Sequence, residues 1–260
     1  MAGGSVIVGR DGAIATVTLS SPGRMNALDK AMWSQLGEAM QTLGADEALR
    51  CIVIRGEGDK AFAAGADIAE FRNERANAAQ AKAYSRGGIG WMHSVAECRH
   101  PTVALIQGAC VGGGLLIASQ CDLRICNESA RFGVPVKNLG LTESYDELQA
   151  MMRVVGPAAS LELLLEGRIW GAREAYEKGL VNRMLPDAGV VEEAYATARR
   201  IAEGAPLVAR WHKKFVRRLL DPRPLTPEER DEGYACFDTE DFRTGVAAFL
   251  AKEKPRFSGR

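Results

Sequence analysis

Thr102-Val103-Ala104-Leu105-Ile106-Gln107 runs straight into Gly108-Ala109-Cys110-Val111-Gly112-Gly113-Gly114. The first five residues are β-branched or aliphatic, the composition of a short buried strand. The small residues that follow pass the chain to a helix-like run beginning at Leu115. Glycine stands where backbone takes unusual angles or comes very close to something else. The same arrangement occurs earlier, where Cys51-Ile52-Val53-Ile54-Arg55 leads into GEGDKAFAAGAD and then a helical stretch over about residues 77–97. Strands and helices alternating at this spacing predict an α/β class with largely parallel pairing.

Working outward, Ala13 to Leu19 reads as a strand closed by Ser21-Pro22-Gly23. Asp29 is placed to cap a helix that lines Met32, Leu36, Met40 and Leu43 along one face and stops at Gly44. Cys121–Cys126 and Ala130–Phe132 are further strand candidates. Pro157 suits a first helical position, and LELLLEG ends that helix on Gly167. Gly171 to Gly179 is a short helix and Val181–Leu185 a last strand. Beyond Pro186 the pattern is helical. Thr226-Pro227-Glu228-Glu229 is a capping-box signature, and Val246, Phe249 and Leu250 form an apolar stripe on a terminal helix. The expected organisation is an α/β core over 1–185 and a helical part over 186–260.

The 260 residues carry 33 basic and 33 acidic side chains, so the formal net charge is zero. That balance advertises neither a nucleic-acid nor a membrane partner, and a polyanionic ligand would need local basic residues. The first residues lack the basic-then-apolar pattern of a secretory signal, and the cytoplasm is the expected location. None of the six cysteines forms a C-x-x-C pair, and the three histidines show no ligand spacing, so neither a disulfide framework nor a metal site is expected. The cysteines read as buried small apolar residues.

Walker A, G-x-S-x-G, H-E-x-x-H and G-x-G-x-x-G signatures are absent, which removes most support for phosphoryl transfer, serine hydrolysis, metal-assisted hydrolysis and hydride transfer. What remains is the pair of loops Phe62–Ile68 (FAAGADI) and Gly108–Gly114 (GACVGGG). Both are built from small residues, so their backbone N–H groups can face a cleft. Two such groups converging on one oxygen would stabilise charge developing on a carbonyl.

FAAGADI, GACVGGG, CDLRI, SARFGVP and GLVNRML, in this order, closely resemble the enoyl-CoA hydratase/isomerase (crotonase) superfamily. SPGRMNALDKAM resembles its N-terminal N-A-L segment and GVAAFLAKEKPRF its C-terminal end, so the resemblance spans roughly residues 5–257. It implies a spiral of ββα units with a helical C-terminal part, assembled as trimers or dimers of trimers. It implies an acyl-CoA thioester as substrate, with coenzyme A carried by that substrate and no other cofactor. By the same resemblance, the N–H groups of Ala66 and Gly113 hold the thioester oxygen. Backbone near Ala64, Asp67 and Ile68 borders the adenine and pantetheine. Arg24 falls near the CoA phosphates, and Lys252 and Lys254, from the same or a neighbouring subunit, reach toward the 3′-phosphate.

The resemblance also exposes a departure. Family hydratases use two glutamates, and the matching positions here are Leu116 and Val136, which cannot transfer a proton. With Gly112, these two are expected to line the substrate site. Related branches carry a functional aspartate at the position of Glu143 or of Ser144. Glu143 is therefore the leading acid/base candidate, Asp146 the second, and Tyr145 a possible donor, while Asp146 and Glu147 also suit an ordinary first helical turn. His93 and His100 fall in the region that covers the acyl pocket and read as structural residues, and Trp91 and Met92 as pocket lining. The expected activity is an isomerase-type proton transfer on a thioester enolate. Two alternatives remain open: a non-catalytic acyl-CoA-binding homologue, and a hydratase with rearranged acid/base groups.

Overall fold

The computed structural model describes residues 3–260, apart from the side chains of residues 85–92. Its main sheet follows from period-two alternation in strands apolar on both faces. Strand β1 (Ser5–Asp11) pairs antiparallel with β2 (Ile14–Ser20). From β2 onward the pairing is parallel, through β3 (Cys51–Gly56), β5 (Thr102–Ile106), β7 (Leu123–Asn127) and β10 (Arg183–Leu185). Val17, Ile52, Ile54, Ala104 and Ile106 face the principal core. Their neighbours Ile14, Val53, Val103, Leu105 and Ile125 face helix α7 (Val190–Glu203), which contributes Val190, Ala194 and Ala198. A parallel sheet covered on both faces reads as near-continuous apolar runs, as CIVI and TVALI do.

A second sheet orders short strands as β4 (Ala61–Ala63), β6 (Ala109–Val111), β8 (Arg131–Gly133) and β9 (Trp170–Gly171). Three strands of the main sheet are each followed by one of these short ones and then by a helix. Thus β3 and β4 precede α2 (Phe71–Glu74) and α3 (Ala78–Glu97), β5 and β6 precede α4 (Gly113–Gln120), and β7 and β8 precede α5 (Tyr145–Glu166). The repeat makes the chain a spiral of ββα units, as expected. Sequence reading passes over β1, β4 and β6, because two of these are three residues long and β1 is mostly exposed, leaving no period to detect.

Helix α1 (Lys30–Ala45) is capped as expected, with Asp29 Oδ1 accepting from the Met32 N–H at 2.9 Å. Helix α5 runs through Pro157 but breaks at Gly156, whose φ of 74° and ψ of 173° are not helical. By length and composition Tyr145–Glu166 is apolar enough to cross a bilayer. The break divides it into two segments, each well short of the ~20 residues a span requires. Helix α6 (Ala172–Glu177) precedes β10, after which come helices only: α7, then α8 (Pro206–Arg218), α9 (Pro227–Glu232) and α10 (Glu240–Ala251). Thr226 and Glu229 form the expected capping box. The stripe on α10 faces solvent in the single chain, with Phe249 83% and Leu250 75% exposed. Cys51, Cys98, Cys110, Cys121 and Cys126 are buried thiols, whereas Cys236 is only half-buried.

Candidate active site

Each member of the glycine triplet is required for a different reason. Gly112 has φ +52°, a conformation that disfavours any side chain. A Cβ on Gly113 would stand 3.1 Å from the Trp33 ring, and one on Gly114 only 2.3 Å from the Ala63 carbonyl oxygen. The loop therefore lies against β4 and α1 at backbone contact distance. Gly65, with φ +106°, meets the other loop in the same way, since its Cβ would lie 3.2 Å from the Val111 oxygen.

The Phe62–Ile68 loop is held by its neighbours. Asn26, itself at φ 55°, donates through Nδ2 to the Ala61 carbonyl at 2.8 Å, and the Ala64 N–H donates to the Met25 carbonyl at 3.0 Å. A lone β-bridge then ties Leu28 to Ala66: Leu28 N–H donates to the Gly65 carbonyl and Asp67 N–H to the Leu28 carbonyl, each at 2.8 Å. In extended backbone successive N–H groups alternate in direction, so that of Ala66 points away from Leu28. The Gly113 N–H is the first of α4 and has no intrahelical acceptor. Among the described residues neither N–H finds a protein partner. Both residues line one cavity of about 530 Å³. Two free N–H groups at its wall, one of them at a helix N-terminus, can hold an oxygen that gains negative charge.

The cavity gathers most of the expected residues. Ala64, Ile68, Gly112, Leu116, Val136 and Glu143 all border it. Leu116 is buried and Val136 partly so, packed against the core. Sequence reading missed Trp33, Phe71, Arg75 and Glu147, which also line the wall. Arg75 stacks over the rings of Phe71 and Tyr84, at 4.6 and 4.0 Å from their centroids. No local motif announces such residues; only the fold brings the α1 face and the loop after α2 to the glycine turns.

Glu143 sits just before α5 and is half-buried. Burial first, and then the negative charge and hydrogen bonding of Glu147, push its carboxyl up to about 8, with Arg75 opposing. The protonated form of Glu143 is therefore favoured well above the usual carboxylate range. Glu147 is fixed by the capping box of α5, where its Oε2 accepts from the Ser144 N–H at 2.7 Å. Asp146, one residue earlier in the same turn, faces away. It borders a second cavity of about 690 Å³ with His93 and Arg153, so the structure does not place it with Glu143. Tyr145 is 93% exposed and reaches neither wall.

The basic candidates lie elsewhere. Arg24 pairs with Asp67 at 2.5 Å and with Asp29 at 3.6 Å, bracing the Phe62–Ile68 loop against the start of α1, and does not line the cavity. Asp67 is occupied by that pair and by capping the turn Ile68–Glu70. Lys252 ends α10 in a left-handed conformation, and Lys254 pairs with Glu203 at 3.1 Å; neither borders the 530 Å³ cavity. His100 is fully buried with neither ring nitrogen bonded, and burial beside Arg210 and Arg99 lowers it to about 4. It is thus a neutral structural residue. The expectation for Trp91 and Met92 lies outside the described residues.

A spiral of ββα units presenting two free N–H groups to an apolar cavity defines the crotonase class of folds. The family model for enoyl-CoA hydratase/isomerase matches residues 9–260, and the chain belongs to that family. It is 36% identical to a probable enoyl-CoA hydratase of Rhizobium meliloti, with 98% of each chain covered. It is 32% identical to the crotonyl-CoA hydratase of Syntrophomonas wolfei, with 99% of each covered. A solved structure from Magnetospirillum magneticum, described as an enoyl-CoA hydratase/carnithine racemase, superposes with a TM-score of 0.97. The two are 50% identical, over 98% of this chain and 96% of that one.

Proposed function

We propose that the cavity binds the acyl group of a coenzyme A thioester and that the Ala66 and Gly113 N–H groups form an oxyanion hole. As a proton leaves the carbon next to the thioester, negative charge moves onto the carbonyl oxygen between these donors. Glu143, in its carboxylate form, takes that proton and returns it at a carbon further along the chain, which shifts the double bond. The observation that carries the reading is the placement of Glu143 in the same cavity as the two free N–H groups, while Leu116 and Val136 offer no proton-transfer group. A carboxyl whose ionisation lies close to neutral pH suits both halves of such a transfer. Coenzyme A enters with the substrate, and the chemistry needs no other cofactor.

A second reading, hydration of the double bond, is favoured by Glu147, a second carboxyl in the same cavity, and by the names of the relatives. Product analysis separates the two: hydration adds the mass of one water, and isomerisation leaves the mass unchanged. The deciding variant is Glu143→Gln, assayed on 2-enoyl and 3-enoyl thioesters. Loss of a general acid/base lowers kcat by about 10²–10⁴-fold. Undiminished turnover removes Glu143 from the reaction. The same reading includes assembly into trimers, supported by the exposed Phe249 and Leu250 on α10 and testable by light scattering.

A further inference from the structure

The expectation of one acid in an otherwise apolar pocket leaves Glu147 without a role beyond its helix cap. Its position suggests more. Glu147 borders the same cavity as Glu143, and the capping box holds it there: Oε2 accepts from the Ser144 N–H at 2.7 Å, while the Glu147 N–H donates to Ser144 Oγ at 3.4 Å. The Glu147 side chain also lies within hydrogen-bonding reach of Glu143. Among the described residues Glu147 has no ion pair. Two carboxyl groups side by side in a poorly solvated cavity do not both ionise readily, since like charges disfavour one another.

The geometry points to a carboxyl pair in which Glu143 and Glu147 share one proton, Glu147 being the positioning residue that sets the protonation of Glu143. The proposal rests on the reading of Glu143 as the proton-transfer group. In the free protein the proton rests on Glu143, whose burial disfavours its carboxylate form. Burial and the Glu147 charge raise the Glu143 carboxyl accordingly, against the pull of Arg75, the cation facing it from the loop after α2. Loss of the shared proton to solvent leaves Glu143 as carboxylate, ready to accept a proton from the substrate carbon. When Glu143 delivers that proton to the second carbon, it is a carboxylate again. Protons balance over the cycle, and no other reactant is required.

Glu147→Gln tests the pair. Glutamine at this position of a capping box still accepts from the N-cap N–H, so the helix start is kept while the charge is lost. With the charge gone, the rising limb of kcat/KM against pH moves to lower pH by about one unit or more. A purely structural cap predicts no such movement. The second measurement needs no turnover: ¹³C titration of glutamate carboxyls, with Glu143→Gln identifying the Glu143 signal. In the unaltered protein the Glu143 and Glu147 signals each respond to both ionisations, as coupled groups do. In Glu147→Gln the Glu143 signal titrates in a single step at lower pH. A Glu143 titration identical in both proteins, or independent Glu143 and Glu147 signals in the unaltered one, overturns the proposal. Turnover by Glu143→Gln bears only on the preceding reading, so the two can fail separately.

Discussion

The backbone nitrogen of Ala66 stands 3.7 Å from the place a Cβ on Gly113 would occupy. The two residues belong to different ββα units, and the contact of their loops at Gly65 and Gly112 brings them together. A 3-oxoacyl-CoA, whose enolate absorbs in the near ultraviolet, reports on the proposed oxyanion hole. Binding is expected to raise the enolate absorbance above that of the free thioester at the same pH, because paired donors favour the charged oxygen. Tight binding with an unchanged spectrum would refute the assignment.

Glycine replacements are ranked by geometry. Gly114→Ala drives a methyl to 2.3 Å from the Ala63 oxygen, so strands or helix must shift. Gly112→Ala meets nothing nearer than 3.7 Å and carries only the strain of its positive φ. Overpacking of this kind costs about 1–3 kcal/mol or more, the left-handed strain about 1–2 kcal/mol. Urea titrations are expected to show Gly114→Ala as the less stable variant, and the reverse order would mean the loops yield more than the contacts imply.

The Glu143 carboxyl makes stability depend on pH. Its ordinary value is 4.5 and burial beside Glu147 raises it to about 8. Between these values the folded state binds more protons than the unfolded chain, so stability falls as pH rises from 4.5 to 8. Glu143→Gln lacks this dependence. Its unfolding midpoint, relative to the unaltered protein, is expected to climb across that window and level off above it. A constant difference from pH 4.5 to 8 would show that Glu143 ionises as freely as an exposed carboxyl.

His100 acts with the opposite sign. Its ordinary value of 6.5 falls to about 4 in its buried site. Between 6.5 and 4 the unfolded chain binds the additional proton, so this residue removes stability as the solution is acidified. The two effects oppose each other where their windows overlap, and variants separate them. His100→Leu, which cannot take up a proton, is expected to lose less stability than the unaltered protein from pH 6.5 to 4, as followed by thermal unfolding. Equal losses would place the acid sensitivity elsewhere.

Much of the site was legible because small residues after buried strands have few uses. Gly65, Gly112 and Gly113 stand out in sequence since glycine at those points answers to backbone angle or close approach, and both demands are met. Leu116 and Val136 were legible as wall residues only through the resemblance, which aligns them with the two family glutamates, and both border the cavity. Arg24, placed near the CoA phosphates by the resemblance alone, is paired in the structure with Asp67 and Asp29, partners that sequence spacing does not announce. Asp146 and Glu147 are adjacent acids in one first turn, equivalent by sequence. They project about 100° apart around the helix, so one enters the cavity beside Glu143 and the other enters its neighbour.

The residue sequence by itself determined the alternation of buried strands and helices, the capped start of α1, the two glycine turns and membership in the enoyl-CoA hydratase/isomerase family. These are local matters of period, backbone freedom and motif, carried by neighbours along the chain. Tertiary structure decided which acid shares the cavity with the free N–H groups, which cations are already paired, and that Trp33 and Arg75 help to form the wall. Such choices depend on the rotation of one helix and the contact of distant loops, which sequence spacing alone does not specify.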